Sequence, residues 1–303
     1  LPPADLRQSV NGLWNNAAMS ENPSASAPVS PSVAPVPEGA APLPAWQPET
    51  CLQLLAMDTS TSVMSVAVGR WPAGAAARGE APGQWQHTGA GAAQSSATLI
   101  PTVQRLLGEA GLGLAQLDAI VFGAGPGSFT GLRTACAVAQ GLALGAGRPV
   151  LPVDTLLAVA EDWRSRQPEL VPGSVAWALL DARMDEIYVA GWRWQPRDGM
   201  PAWELTQPVL LARPEDLLQV PGLKPEAICA GNVQPVYGER LPVTVQEGMP
   251  TADAMLRLAP ALLLDGGAID PALALPRYVR DKVAQTTAER EEAKLRAAGA
   301  RQA

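Results

Sequence analysis

The chain has 303 residues, 47% of them apolar, with a net charge of −7 and an isoelectric point near 4.9. That is enough apolar material for about two lobes, and the acidic balance argues against an independent nucleic-acid clamp, which neutralises phosphates with many Lys and Arg. Three scattered cysteines (Cys51, Cys136, Cys229), a lone His87 and no HxxxH or CxxC pair argue against a disulfide framework and a His/Cys metal site alike. With no secretory segment or long apolar run in view, a reducing cytosol without a membrane span is expected. The chain opens on Leu1 rather than Met, so an upstream start is also expected.

Residues 1–50 hold ten of the 30 prolines in stretches such as "ENPSASAPVSPSVAPVPEGAAPLPAWQPE". Without helical or strand periodicity such a segment cannot bury enough apolar area to offset its ordering entropy, so it reads as a disordered extension or a mis-assigned start. Order begins at "CLQLLAMDTSTSVMSVAVGRW", with strands expected at 52–57 and 63–68 around a polar turn, in hairpin arrangement. In "SSATLIPTVQRLLGEAGLG" the positions Leu99, Val103, Leu106 and Ala110 recur at helical spacing, with Gly111 as the stop. The strand "AIVFG", the loop "FGAGPGSFTGLR", a helix over about 131–145 and the strand "PVLPV" follow. Then come a helix in "DTLLAVAEDWRSR", two strands around a turn at 181–186, a short helix in "RPEDLLQV", a strand in "AICAGN" and a helix in "TADAMLRLAPALLLDG". An irregular segment from "PRYVRDKVA" and a charged tail close the chain. Strands mixed with helices in both halves indicate two α/β lobes.

The pairing of "LLAMDTSTSVMSVAV" with "GAGPGSFTGLRTACAVAQGLALG", followed in order by "PVLPVDTLLAVA", "DARMDEIYVA" and "PRYVRDKVA", resembles the TsaB (YeaZ) family. The resemblance runs over residues 52–285, and its two N-terminal motifs carry most of its specificity. It implies a two-lobed actin/Hsp70/sugar-kinase-like (ASKHA) fold of mixed sheets flanked by helices. The chain then divides into an extension at 1–50, an N-terminal lobe at 51–154 with the DTST and GPGSFTG loops, a smaller C-terminal lobe at 155–285 and a tail at 286–303. The resemblance further implies a non-catalytic scaffold for a TsaD-type transferase that forms N6-threonylcarbamoyladenosine at position 37 of ANN-decoding tRNAs. It implies a heterodimer with that transferase, joined by a TsaE-type ATPase, and leaves open a homodimer when the chain is alone. The tRNA would be reached only through the complex, in the cytoplasm. No cofactor is required of this chain, and ATP or ADP binding is open within the complex. The transferase's metal-binding histidines have no counterpart in "AQSSATLIP", and Ser95 stands where many TsaB-like sequences carry a single histidine.

Asp58, Thr59 and Ser60 sit where relatives of this fold wrap nucleotide phosphates, and an Asp there can hold Mg²⁺ through water. The plainer alternative is a turn whose side chains bond their own backbone. Gly125, Gly127, Ser128 and Thr130 are the matching phosphate candidates in the glycine loop. That loop has three uses open to it: cradling phosphate, a tight structural crossover, or placing the next helix against a neighbour. It is no Walker A loop, since no Lys follows the last glycine, and no nucleophile elbow, since G-x-S-x-G is missing. A structural loop that still admits a phosphate group fits best.

The helix after it has little polar surface beyond Arg133, Thr134 and Gln140, so both of its faces are expected to be covered. Ala137, Gly141 and Gly145 form a ridge of small residues along it. Burial by the helix at 95–110 would be the ordinary reading; a subunit interface, with Leu99, Val103, Leu106, Arg133, Ala137, Val138, Gly141 and Gly145 at the contact, is the one the resemblance favours. Asp181, Arg183, Asp185 and Glu186 read as a salt-bridged hairpin turn rather than an acid–base pair. Arg277, Arg280 and Lys282 could meet tRNA phosphates, a surface patch or an acidic partner being equal alternatives. Trp192, Trp194 and Trp203 read as core or edge packing. The alternative class is an enzyme: a small ATP-dependent phosphotransferase using Asp58, with Gly231-Asn232 as a weak second loop, or a peptidase-like activity for which the chain supplies no metal or nucleophile.

Overall fold

The structure is a computed structural model and describes residues 46–91 and 94–280; the extension at 1–45 and the tail beyond 280 lie outside the described residues. Strand β1 (Leu52–Asp58) pairs antiparallel with β2 (Val63–Trp71), which pairs in turn with β3 (Gly83–Ala90). Helix α1 (Ser95–Ala110) then leads to β4 (Ala119–Gly125), parallel to β1. Helix α2 (Phe129–Ala146) leads to β5 (Val150–Asp154), parallel to β4, and α3 (Thr155–Arg164) starts at once, its first amides accepted by the Asp154 side chain. Caps explain the other ends: Gly111 and Gly147, both left-handed, stop α1 and α2.

The second half repeats the scheme. Strands β6 (Val175–Arg183), β7 (Glu186–Trp194) and β8 (Trp203–Ala212) form an antiparallel meander. Strand β9 (Ile228–Gly231) lies parallel to β6; after the four-residue helix α4 (Gln234–Tyr237), β10 (Val245–Glu247) lies parallel to β9. Helix α5 (Ala252–Leu264), capped by Thr251, ends the regular structure. The orders β3-β2-β1-β4-β5 and β8-β7-β6-β9-β10 are the same pattern used twice. The difference lies in the connections: where the first sheet carries α1 and α2, the second carries a 3-10 turn at Pro214–Gln219 and α4.

Helices α3 and α5, the counterparts that follow each sheet, pack on one another between the two sheets. Leu52, Leu54, Ala56, Ala119 and Val121 point into this central core, while Leu55, Met57, Ile120 and Phe122 point to the opposite face, under α1 and α2. Being covered on both faces is why β1 and β4 read as nearly unbroken apolar runs. Although it follows the second sheet, α5 lies against β1, β2 and β4, and its Ala252 amide donates to Ser65 Oγ on β2 at 2.9 Å.

Three expectations are corrected here. Leu99, Val103 and Leu106 are 0–1% exposed and packed beneath α1 against the first sheet, so their helical spacing marks a core face and not a partner contact. The α2 ridge is not buried by α1: Ala137, Gly141 and Gly145 are exposed, and a Cβ on either glycine would meet nothing within 4 Å. Trp46, inside the segment read as an extension, packs against the central core.

Candidate functional site

The DTS turn and the glycine loop meet at the carboxyl ends of β1 and β4, and they are interlocked. Thr59 Oγ1 donates to the Gly131 carbonyl at 2.6 Å, and the Ser128 amide donates to the Ser60 carbonyl at 2.7 Å. Asp58 Oδ1 accepts from both the amide and the hydroxyl of Ser60, at 2.9 and 2.8 Å. Gly131 is required because a Cβ there would run into the Thr59 carbonyl. Gly125 is required twice over: its φ is 119°, and the Arg277 carbonyl would lie 2.6 Å from a Cβ.

Asp58, Thr59 and Ser60 are therefore buried, with their donors engaged inside the joint. The Asp58–Ser60 bonds are the local ones of the plainer sequence reading, whereas Thr59 reaches across to the glycine loop. Ser128 and Thr130 do keep exposed positions at the start of α2. The remaining Asp58 oxygen, Oδ2, is enclosed without a hydrogen-bond partner. Burial pushes this carboxyl up to about 7, against the lowering effect of the two Ser60 bonds. Asp154, at the end of β5, is also raised by burial, with Arg277 opposing from 3.5 Å.

Beside this joint opens a cleft of about 570 Å³. Ser60, Gly127 and Phe129 line it from the first sheet's loops, and Asp181, Met184 and Asn232 from the second. The second wall mirrors the first: the Asp181 amide donates to Asn232 Oδ1 at 2.8 Å, linking the β6–β7 turn to the loop after β9. Asp181, Arg183, Asp185 and Glu186 form the salt-bridged turn expected, with Arg183 on Asp181 and Arg240 bidentate on Asp185 at 2.6 and 2.8 Å. Arg277 and Arg280 are drawn into ion pairs with Asp154 and Glu186; Lys282 lies outside the described residues. Trp192, Trp194 and Trp203 are buried, as the packing reading has it. Among the described residues no group of three or more His, Cys, Asp or Glu is placed to hold a metal ion, and no helix is long and apolar enough to cross a membrane.

The second surface is the outer face of α2. Leu132, Ala135, Cys136, Ala139 and Ala143 turn inward, leaving Arg133, Ala137, Gly141, Leu144 and Gly145 outward, with Val138 half-buried beside them. Leu144 is 56% exposed, and Ile100 of α1, on the same side of the sheet, is 43% exposed. Arg133 lies over the Phe129 ring at 3.8 Å and donates to the Tyr278 hydroxyl at 2.8 Å. Sequence spacing did not bring Tyr278 to this helix; a long-range contact of this kind leaves no periodic signal.

A family model described as TsaD, tRNA N6-adenosine threonylcarbamoyltransferase, matches residues 90–196. The chain is 31% identical over 241 residues to the tRNA threonylcarbamoyladenosine biosynthesis protein TsaB of Escherichia coli (strain K12), covering 77% of this chain and 96% of that protein. It is 41% identical over 143 residues to the protein of the same name from Haemophilus influenzae, covering 45% of this chain and 52% of that one. Among solved structures it is similar to YeaZ from Pseudomonas aeruginosa, with a TM-score of 0.60 at 33% identity, covering 75% of this chain and 100% of that one.

Proposed function

The chain belongs to the TsaB family of tRNA threonylcarbamoyladenosine biosynthesis proteins, with its two-lobed actin/Hsp70/sugar-kinase-like fold, and we propose that it acts there as a non-catalytic scaffold for a TsaD-type transferase. The observation that carries this reading is the outer face of α2. A ridge of Ala137, Gly141 and Gly145 with open space above it lets a second helix approach closely, and Leu144 and Val138 supply apolar area beside it. A helix face of small residues with open space above it, and Leu144 exposed beside it, suits a protein that lets another helix come close. The partner is the transferase that modifies position 37 of ANN-decoding tRNAs; a TsaE-type ATPase joins the pair, and a second copy of this chain takes the face when the transferase is absent. With a net charge of −7, the chain reaches tRNA through the complex in the cytoplasm. It needs no cofactor of its own, and ATP or ADP enters only within the assembly.

Titrating the chain with the transferase from the same genome tests this. Gly141→Leu adds a bulky side chain to the ridge, and overpacking of that kind costs about 1–3 kcal/mol. Affinity should fall roughly tenfold to a hundredfold, at about 1.4 kcal/mol per tenfold, while the variant melts as a folded protein. The purified chain should not turn over ATP above background. Turnover that is lost in Asp58→Ala would replace the scaffold reading with the phosphotransferase one.

A further inference from the structure

We propose that residues 276–280 form a strap coupling the docking face of α2 to the turn between β6 and β7, so that each responds to the other's occupancy. The proposal rests on the docking reading of α2. Among the described residues no hydrogen bond or ion pair joins α2 to that turn directly; the strap is the connection.

Its middle is fixed to the first sheet. The Arg277 amide donates to the Ala124 carbonyl at 2.7 Å, its guanidinium pairs with Asp154, and its carbonyl fills the space left by Gly125. Val279 packs against the central core. Tyr278 reaches to α2, its hydroxyl accepting from Arg133 and its ring 5.2 Å from that of Phe129. Arg280 reaches the other way. With its side chain only 15% exposed, it pairs with Glu186, donates to the Arg183 carbonyl at 3.3 Å and lies 3.2 Å from Met184 Sδ.

The turn it grips is tight and held from several sides. Arg183, Met184 and Asp185 have φ of 61°, 54° and 65°, three consecutive side-chain-bearing residues in the left-handed region. Positive φ at Met184 and Asp185 is the usual geometry of a two-residue hairpin loop, and Arg183 extends it by one residue in a region that few residues other than Gly, Asn and Asp occupy. Here the restraints are Arg240 on Asp185, the Tyr237 hydroxyl on Asp181 and the Glu186 carbonyl, and Arg280 from the strap. A partner that engages Arg133 and Phe129 competes for Tyr278, pulls on the strap and loosens one restraint. An occupant of the cleft that moves Met184 acts back along the same path, since coupling between two sites is reciprocal.

A double-mutant cycle with Arg133→Ala and Glu186→Gln, read by urea unfolding, tests the coupling. The two side chains share no contact and meet the strap at different residues, Tyr278 and Arg280, so independent contacts would add. The strap predicts that the double variant departs from additivity by about fivefold in the unfolding equilibrium constant, the lower end of usual coupling strengths. It also predicts that Arg280→Ala, remote from the ridge, weakens binding of the transferase about fivefold. Additive behaviour, or binding unchanged by Arg280→Ala while Gly141→Leu weakens it, overturns the strap and leaves the docking reading standing. If Gly141→Leu has no effect on binding, the docking reading fails instead, and the cycle alone decides the coupling.

Discussion

Asp58 has one oxygen held by Ser60 and the other enclosed without a donor, beside Gly123, where any side chain would strike it. Because burial lifts this carboxyl from 3.8 to about 7, the folded protein keeps a proton that the unfolded chain releases. Stability contributed by this group therefore falls as pH rises between about 4 and 7 and is level above that window. Asp58→Asn should remove that slope. At 1.36 kcal/mol per unit the variant should exceed the parent by about 4 kcal/mol at pH 8 and by little at pH 4, as read by urea unfolding at both values. Equal slopes for the two proteins would mean that Asp58 finds a partner in solution. A second residue, Gly131, predicts the opposite sign. Gly131→Ala drives a methyl group into the Thr59 carbonyl, and backbone cannot yield as a side-chain tip can. A loss of about 3 kcal/mol or more is expected in the same assay. The sequence makes the residues of this joint legible, since a DTST turn and a GPGSFTG loop stand out from their surroundings. It does not show that their donors face each other. Motif spacing says which groups can meet, whereas only the packed backbone says which are already engaged.

At the scale of elements, amphipathic periodicity works where one face is dry. Leu99, Val103 and Leu106 mark the inner side of α1, packed on the first sheet, so the spacing that finds the helix also finds its core face. Helix α2 departs from this pattern. A helix with few polar residues was expected to be covered on both sides, yet its outer side is small rather than large: Ala137, Gly141 and Gly145 add little exposed apolar area. Gly141→Ala should accordingly raise the melting stability by about 0.5–1 kcal/mol, since its Cβ enters open space within a helix. A drop would mean that something covers the ridge in the isolated chain. Strand β3 escaped the sequence for another reason, and β8 showed only at Trp203. Both are edges: β3 is polar and half-exposed, and β8 carries Pro208 beside an irregular register with β7. An edge strand lacks the two-sided burial that makes β1 and β4 conspicuous, and a proline within it argues against a strand altogether.

At the scale of the described chain, the two sheets are fastened by charge as well as by apolar packing. Glu161 of α3 is fully buried and accepts from Arg164 at 2.7 and 2.9 Å, from Arg257 of α5 at 2.9 Å and from the Trp203 indole of β8 at 3.1 Å. Arg257 also pairs with Asp253, which accepts from Gln84 of β3, so the network spans from one sheet to the other. Glu161→Ala leaves Arg257 with one partner fewer inside the protein. Breaking a buried pair from one side costs about 3–5 kcal/mol, and a fall in melting temperature of roughly 6 °C or more is expected. A fall of 1 °C or less would show that the apolar contacts of α3 and α5 carry the junction alone. The pairs Glu161–Arg164 and Asp253–Arg257 lie at helical spacing and are legible in the sequence, whereas the links that join them, from Glu161 to Arg257 and Trp203 and from Asp253 to Gln84, span distant segments that no local period connects.

The doubled strand pattern has a counting consequence. The first sheet bears α2, an 18-residue helix with an open ridge, whereas the same position in the second half is filled by α4, a helix of four residues. A molecule with two such ridges on different sides could be joined head to tail without limit, and heterologous contacts that fail to close produce fibres. With one such ridge among the described residues, the proposed joining would stop after a single event. Two copies can meet face to face, or one copy can meet one partner, and in either case the ridge is used up. The shortening of a connection in the second half thus gives the docking proposed for α2 a valence of one.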